Sequence, residues 1–214
     1  MYKLVLFDLD GTLADTDYMV VDTYLELFKK YRPDYKPSFK ELASLSGPTL
    51  KEAFAHYFPN EDMEMLLKEF RSNSESKYYT HTSLYKGIKE ALIKLLQDGI
   101  KVGIVTNKQR NTTMFALELY GVKDLFTHMV CADDLKTAKP HPDGIYSCLE
   151  YFGCSKEETL FVGDSKTDEL TAINAGVDCM LVSWNLHGRL KNTQPKYYVD
   201  TIDEMMEIIY GKSN

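Results

Sequence analysis

The chain has 214 residues, 44% of them hydrophobic, and its 25 basic and 32 acidic side chains leave a net charge of −7. That is enough apolar material for one large domain, or a domain with an insertion, around a real core. The acidic balance, with no basic run longer than Lys29-Lys30, speaks against nucleic acid or an anionic membrane as a partner. From the N-terminus, MYKLVLFDLDG is interrupted by Asp8 before it reaches the length of a signal peptide, and no stretch approaches the ~20 apolar residues of a membrane span. Cys131, Cys148, Cys154 and Cys179 form no CxxC, and the histidines make no HExxH or HxH pair, so reduced thiols, no zinc site and a cytoplasmic location are expected. Lys3 to Phe7 is a short continuous apolar run of the kind buried on both faces of a sheet. Helical spacing follows, in Val21, Tyr24, Leu25 and Phe28 and again in Met63, Leu66, Leu67 and Phe70. Ser38 with Glu41 reads as a capping box. Pro48 suits the first turn of a helix through Leu50, Phe54 and Tyr57. No strand is expected between Leu13 and about Ser83.

Beyond Ser83 strand and helix alternate. A helix over Ile88 to Gln97 ends at Gly99, and the strand KVGIVT follows. The helix TTMFALELY stops at Gly121, ahead of a short strand, HMVCA. A helix from Ile145 to Phe152 leads to the strand TLFVGD. The helix DELTAINAG and the strand DCMLV come next, then an edge strand at Tyr197 to Val199 and a closing helix. Such alternation predicts an α/β fold, a Rossmann-like parallel sheet with helices on both faces. A structureless loop of about 70 residues does not fit a compact domain, so the helical block is expected to be an inserted all-helical cap. The expected division is a catalytic core of residues 1–14 and 83–214 and a cap of residues 15–82.

Open parallel sheets bind ligands at the carboxyl ends of their strands. Four polar motifs fall there. Asp8 and Asp10 follow LVLF, Thr106 and Asn107 follow VGIV, Lys139 follows HMVCA within TAKPHPD, and Asp164 and Asp168 follow LFVG in GDSKTD. Right-handed crossovers carry all four to one edge. Carboxylates gathered there repel: two unit charges about 4 Å apart cost about 4 kcal/mol at an effective dielectric of 20. A cation among them relieves this, and oxygen-only donors favour Mg²⁺. Lys139 and Thr106 then offer charge and a hydroxyl to an anion that also meets the metal, the combination phosphoryl transfer needs.

DLDGTLADT, VTNK, KPHPD and VGDSKTDELTAINAG resemble, in order and spacing, the four motifs of the haloacid dehalogenase-like hydrolase superfamily, and most of all its phosphoglycolate phosphatase-like branch. The resemblance spans nearly the whole chain, cap included. It implies that Asp8 is the nucleophile forming an aspartyl-phosphate, and that Asp10 protonates the leaving oxygen and then takes a proton from water. Asp8, the main-chain carbonyl of Asp10, and Asp164 would hold Mg²⁺, and Asp168 would hold a metal-bound water or brace Lys139. Thr106 and Lys139, with backbone amides near Leu9 and Asn107, would bind the phosphoryl group. In the family the cap selects the leaving group, and the loop SLSGPTLKEAF, with Gly47 and Pro48, is the expected selector. Phosphoglycolate-like metabolites are the first expected substrate class, with pyrophosphate and nucleoside monophosphates as alternatives. A monomer or weak dimer is expected.

Other readings fit less well. An EF-hand counted from Asp8 would need Gly and Glu where Leu13 and Met19 stand. A phospho-accepting receiver domain lacks a helical insertion and places its acceptor after a middle strand. Related mutases carry His where Val20 stands, P-type ATPases carry Lys where Leu9 stands, and the dehalogenases lack a second acid at Asp10. His141 and His187 receive no chemistry. Lys86 and Asn185 depart from the branch's usual pattern, with no expected contact with the reacting groups.

Overall fold

Leu4–Phe7 (β1) carries LVLF, four residues buried on both faces, and every later strand of the main sheet is ordered about it. The computed structural model describes residues 1–46 and 49–211. Lys101–Val105 (β4) and Thr159–Gly163 (β6) flank β1 in parallel, with Phe7 opposite Ile104 on one side and Val162 on the other. Met129–Val130 (β5) extends one edge, and Asp178–Val182 (β7) and Tyr197–Val199 (β8) the other. The order is β5-β4-β1-β6-β7-β8, and every pairing is parallel.

Successive strand residues point to opposite faces, so one strand feeds two cores. Val5, Phe7, Val102, Ile104 and Val162 pack with Ile88–Gln97 (α6), Arg110–Leu119 (α7) and Ile202–Ile209 (α10). Leu4, Leu6, Val105, Phe161 and Leu181 pack with Asp143–Phe152 (α8) and Lys166–Ala175 (α9). Burial on both faces is why β1 and β6 read as continuous apolar runs rather than alternating ones.

Between β1 and α6 lies the helical cap: Asp17–Tyr31 (α1), Phe39–Ala43 (α2), Leu50–Tyr57 (α3), Met63–Glu75 (α4) and Tyr78–His81 (α5). Its core is aromatic. Tyr24 meets Phe54 and Phe70 edge-on, with ring centroids 6.0 and 5.1 Å apart, and Phe58 lies 4.9 Å from Phe28. The Ser38 side chain caps α2, but the Glu41 carboxylate turns to Tyr35 and Tyr57 instead of closing a box. The full capping box belongs to Thr49 and Glu52, at the start of α3. Pro48 lies outside the described residues.

One expectation is corrected at the junction. Ala14–Asp15 (β2) and Ser83–Leu84 (β3) form a two-stranded antiparallel ladder, in the stretch where no strand was expected. Two residues are too few to show a period of two, and their partners are nearly 70 positions apart, so the local pattern carries no trace of the pairing. The ladder makes the two cap linkers a single double-stranded stem, extended by the Tyr85 N–H donating to the Leu13 carbonyl at 3.1 Å.

Phe54 is fully buried where α1, α3 and α4 meet. Phe54→Ala is expected to destabilise the protein by about 3–5 kcal/mol, the usual range for a large aromatic in a packed core. Urea denaturation checks this, and a loss below about 1 kcal/mol contradicts the packing described here.

Candidate active site

The carboxyl ends of β1, β4 and β6, with the loop after β5, bring Asp8, Thr106, Lys139, Asp164 and Asp168 together. The Asp8 N–H donates to the Val162 carbonyl (2.9 Å) and the Thr106 N–H to the Val130 carbonyl (3.0 Å), so the sheet ladder itself places both residues. The Lys139 ammonium is buried. Its Nζ lies 2.8 Å from Asp8 Oδ1 and 2.6 Å from Asp168 Oδ1. The Asp8 contact is ionic rather than a well-aligned hydrogen bond, and it leaves Oδ1 short of a directional donor. Asn107 holds this lysine from behind: its Nδ2 donates to the Lys139 carbonyl (3.2 Å), and its Oδ1 accepts from the Lys139 N–H (2.9 Å). The Asn107 side chain is thus committed to positioning Lys139.

Asp168 does two jobs from the first turn of α9. Oδ1 braces Lys139, while Oδ2 accepts from the main-chain N–H groups of Asp164 and Ser165 and from Ser165 Oγ at 2.6 Å, closing a capping box. A Cβ on Gly163 would fall 2.4 Å from the Asp168 Cβ, so that position admits only glycine.

Asp164 is held by Thr12 of the first motif and by two groups outside the four motifs, Asn185 and His187. Its Oδ2 accepts from Asn185 Nδ2 (2.9 Å) and meets His187 Nε2 at 2.8 Å, and Thr12 Oγ1 reaches its Oδ1 at 3.4 Å. The sequence reading of His187 and Asn185 as remote from the chemistry is corrected here. Both sit in the loop after β7, which returns to the same edge. That loop was legible as a strand end, but it carries no acid and no glycine-rich turn to mark it. Asn185 Nδ2 also donates to the Gly11 carbonyl (3.2 Å), and Trp184 Nε1 to the Thr12 carbonyl (3.0 Å), tying this loop to the turn after Asp10. Gly11, with φ +75°, passes so close to Asp164 that a Cβ would meet Oδ2 at 2.3 Å.

Asp10 lies beyond the buried cluster, at its mouth. Lys108 Nζ grips both its carboxylate oxygens at 3.0 and 2.8 Å. Sequence reasoning missed Lys108, although it is the last residue of VTNK; a lysine beside a strand end does not announce which acid it faces.

Burial pushes the Asp8 carboxyl up to about 7; Lys139 pulls it back down, and the charges of Asp168 and Asp164 add to the rise. Burial also raises Asp164, against the bond from His187. The Lys139 ammonium is lowered by burial, but Asp168 and Asp8 outweigh that and hold it above its ordinary value. His187 likewise is lowered by burial and raised on balance by Asp164.

Carboxylate oxygens of Asp8, Asp164 and Asp168 all lie within 4.8 Å of one another, and all three residues are buried. Opposite ligands of one Mg²⁺ are about 4.2 Å apart, so this all-oxygen set fits a hard cation. Both Asp168 oxygens are engaged by Lys139 and the α9 capping box, and Asp164 Oδ2 by Asn185 and His187, while Asp164 Oδ1 meets only Thr12 at 3.4 Å among the bonds described and Asp8 Oδ1 lacks a directional donor. A cleft of about 720 Å³ opens over Asp8, Asp10, Thr106 and Lys139, roofed by cap residues that include Met19, Leu67, Phe70 and Tyr78. Gly47 and Pro48, expected as leaving-group selectors, lie outside the described residues; their neighbours Leu45, Thr49 and Leu50 line the cleft. No helix among the described residues is long and apolar enough to cross a membrane.

A buried lysine, converging carboxylates and a strand-end threonine on a parallel sheet beneath a helical cap define a cap-bearing α/β phosphatase. Residues 5–182 match the family model of the haloacid dehalogenase-like hydrolases, and the chain belongs to that family. It is 32% identical over 211 residues to the pyrophosphatase PpaX of Halalkalibacterium halodurans, covering 98% of this chain and 97% of that one. A pyrophosphatase PpaX from Bacillus cereus is also 32% identical, over 208 residues, covering 96% and 95%. Among solved structures, a haloacid dehalogenase-like family hydrolase from Streptococcus pneumoniae superposes with a TM-score of 0.84 at 24% identity, covering 97% of this chain and 98% of that one.

The raised Asp8 carboxyl has a stability consequence. In the metal-free folded protein Asp8 holds its proton up to about 7, whereas the unfolded chain releases it near about 3.9. Over that window the native state binds the extra proton, so Asp8 costs stability as pH rises from about 4 to about 7. Asp8→Asn removes the cost. Its urea midpoint in EDTA is expected to exceed that of the wild type by a margin that grows across this range; a constant margin counts against the assignment.

Proposed function

We propose that the protein is a Mg²⁺-dependent phosphatase that removes a phosphoryl group from a small phosphorylated substrate through an aspartyl-phosphate on Asp8. Inorganic pyrophosphate and phosphoglycolate are the first candidate substrates. The observation that carries this reading is the convergence of Asp8, Asp164 and the buried Lys139 beneath one cleft that Thr106 also faces. The curated relatives' name supports pyrophosphate, and the likeness of the four motifs to the phosphoglycolate phosphatase-like branch supports the second candidate.

Asp8 attacks phosphorus while Lys139 and the Thr106 hydroxyl bind the transferring oxygens. Lys139 meets Asp8 Oδ1 at 2.8 Å, so the same ammonium offsets charge on nucleophile and phosphoryl group. Asp10 gives a proton to the leaving oxygen and then takes one from the water that hydrolyses the aspartyl-phosphate, restoring Asp8. Asp8, Asp164 and the main-chain carbonyl of Asp10 would hold Mg²⁺, which when bound supplies positive charge to the phosphoryl oxygens and ends the repulsion among the acids. Asp168 fixes Lys139, and His187 with Asn185 fixes Asp164. The cap excludes water and limits the substrate to what the cleft encloses.

Phosphate release from pyrophosphate and phosphoglycolate, with Mg²⁺ and with excess EDTA, tests the reading. Asp8→Asn is expected to lose at least about 10³-fold in kcat with the fold intact. Undiminished turnover in EDTA refutes the metal role, and normal turnover by the Asn variant refutes the nucleophile.

A further inference from the structure

Lys108 is a second cation, half-buried at the mouth of the site, and the roles above leave it without one. Its main chain is held at both ends: the N–H donates to Thr106 Oγ1 (3.2 Å), and the carbonyl accepts from the Ala132 N–H (3.0 Å). Its Nζ chelates Asp10 at 3.0 and 2.8 Å and lies 5.2 Å from the ring centroid of Tyr78, on α5 of the cap. Lys108, Asp10 and Tyr78 all line the same cleft, and Lys51 and Arg71 carry positive charge further out along its cap side. Lys139 is turned to Asp8 and Asp168, so the two lysines divide the site: Lys139 serves the phosphoryl position and Lys108 the Asp10 side.

The inference rests on the reading that Asp10 serves the leaving oxygen. For Asp10 to reach that oxygen with one carboxylate atom, the two-point grip of Lys108 must relax to a single contact. That turns one more of the ammonium's three N–H groups towards the cleft beneath Tyr78, where it can pair with an acceptor on the substrate. A leaving group with negative charge beside the scissile oxygen supplies the acceptor, and an uncharged alcohol does not. Truncating an interaction of this kind changes relative rates far more than adding or removing apolar bulk. We propose that Lys108 is the leaving-group selector, favouring phosphoanhydrides and carboxylate-bearing phosphoesters, whose departing fragment is anionic next to the broken bond, over phosphates of neutral alcohols.

Phosphoglycolate and ethyl phosphate form a matched pair, one carrying a carboxylate where the other carries a methyl group, and pyrophosphate is a second anionic substrate. The readout is the ratio of kcat/KM for each anionic substrate to kcat/KM for ethyl phosphate, in the Mg²⁺-loaded full chain. Lys108→Met is expected to lower both ratios about 10- to 100-fold, the range for losing one hydrogen bond to a charged group. Lys108→Arg, which keeps the charge, is expected to restore most of the loss. Should the Met variant fail to fold, Lys108→Gln must show the same fall. Ratios that stay put, or activities that drop equally for all three substrates, overturn the proposal. Wild-type inactivity toward all three would overturn the proposed substrates and the inference with them, and this is seen before any variant is made.

Discussion

A buried ammonium between two buried carboxylates is the contact on which the site depends. Removing an ion from water costs several kcal/mol even after relaxation, and Lys139, Asp8 and Asp168 are all removed from it. The arrangement is tolerable because the charges answer one another at 2.6–2.8 Å and because the remaining Asp168 oxygen is saturated by the α9 cap. The neutralisation is incomplete by design of the geometry. Asp164 adds a further acid a few ångströms away, and Asp8 is left with an oxygen lacking a directional donor. A cluster of buried acids offering only oxygen donors is one that fits a hard cation.

The two halves of the site are built by different means. Lys139 is positioned through its main chain, by the reciprocal pair of bonds to the Asn107 amide, so the strand end after β4 governs the loop after β5. Asp164 is positioned through its side chain, by Asn185, His187 and Thr12. Gly11 is what lets that carboxylate come so close to the turn after Asp10. Thus the strand that carries the candidate nucleophile, the turn behind it and the loop after β7 form one hydrogen-bonded unit that no single segment could hold alone.

The cap meets this unit through the β2–β3 stem and through the Tyr78 ring over Lys108. The stem starts four residues after Asp10, so the cap linker and the turn that carries Asp10 are one continuous stretch of backbone. On its cap side the cleft sets apolar Met19, Leu67 and Phe70 beside polar Lys51, Arg71 and Glu75, over a floor of Asp8, Asp10, Thr106 and Lys139.

By itself the sequence determined the alternation of strands and helices, the helical insertion and the four acid- and lysine-bearing strand ends. Those features are local: periods of two and 3.6, a capping residue, a polar residue directly after an apolar run. It reached Asp8, Asp10, Thr106, Lys139, Asp164 and Asp168, because topology carries every carboxyl end of a parallel sheet to one edge. Tertiary structure alone decided which groups touch. That Lys108 grips Asp10 across 98 positions, that His187 and Asn185 secure Asp164 from 23 and 21 positions away, and that Ala14 pairs with Leu84 are outcomes of packing, with no local periodicity to betray them. The physical reason is range. Backbone preference and hydrophobic pattern act over a few residues and set the elements, whereas a charge contact exists only once two distant elements have been brought within a few ångströms and water has been removed from between them.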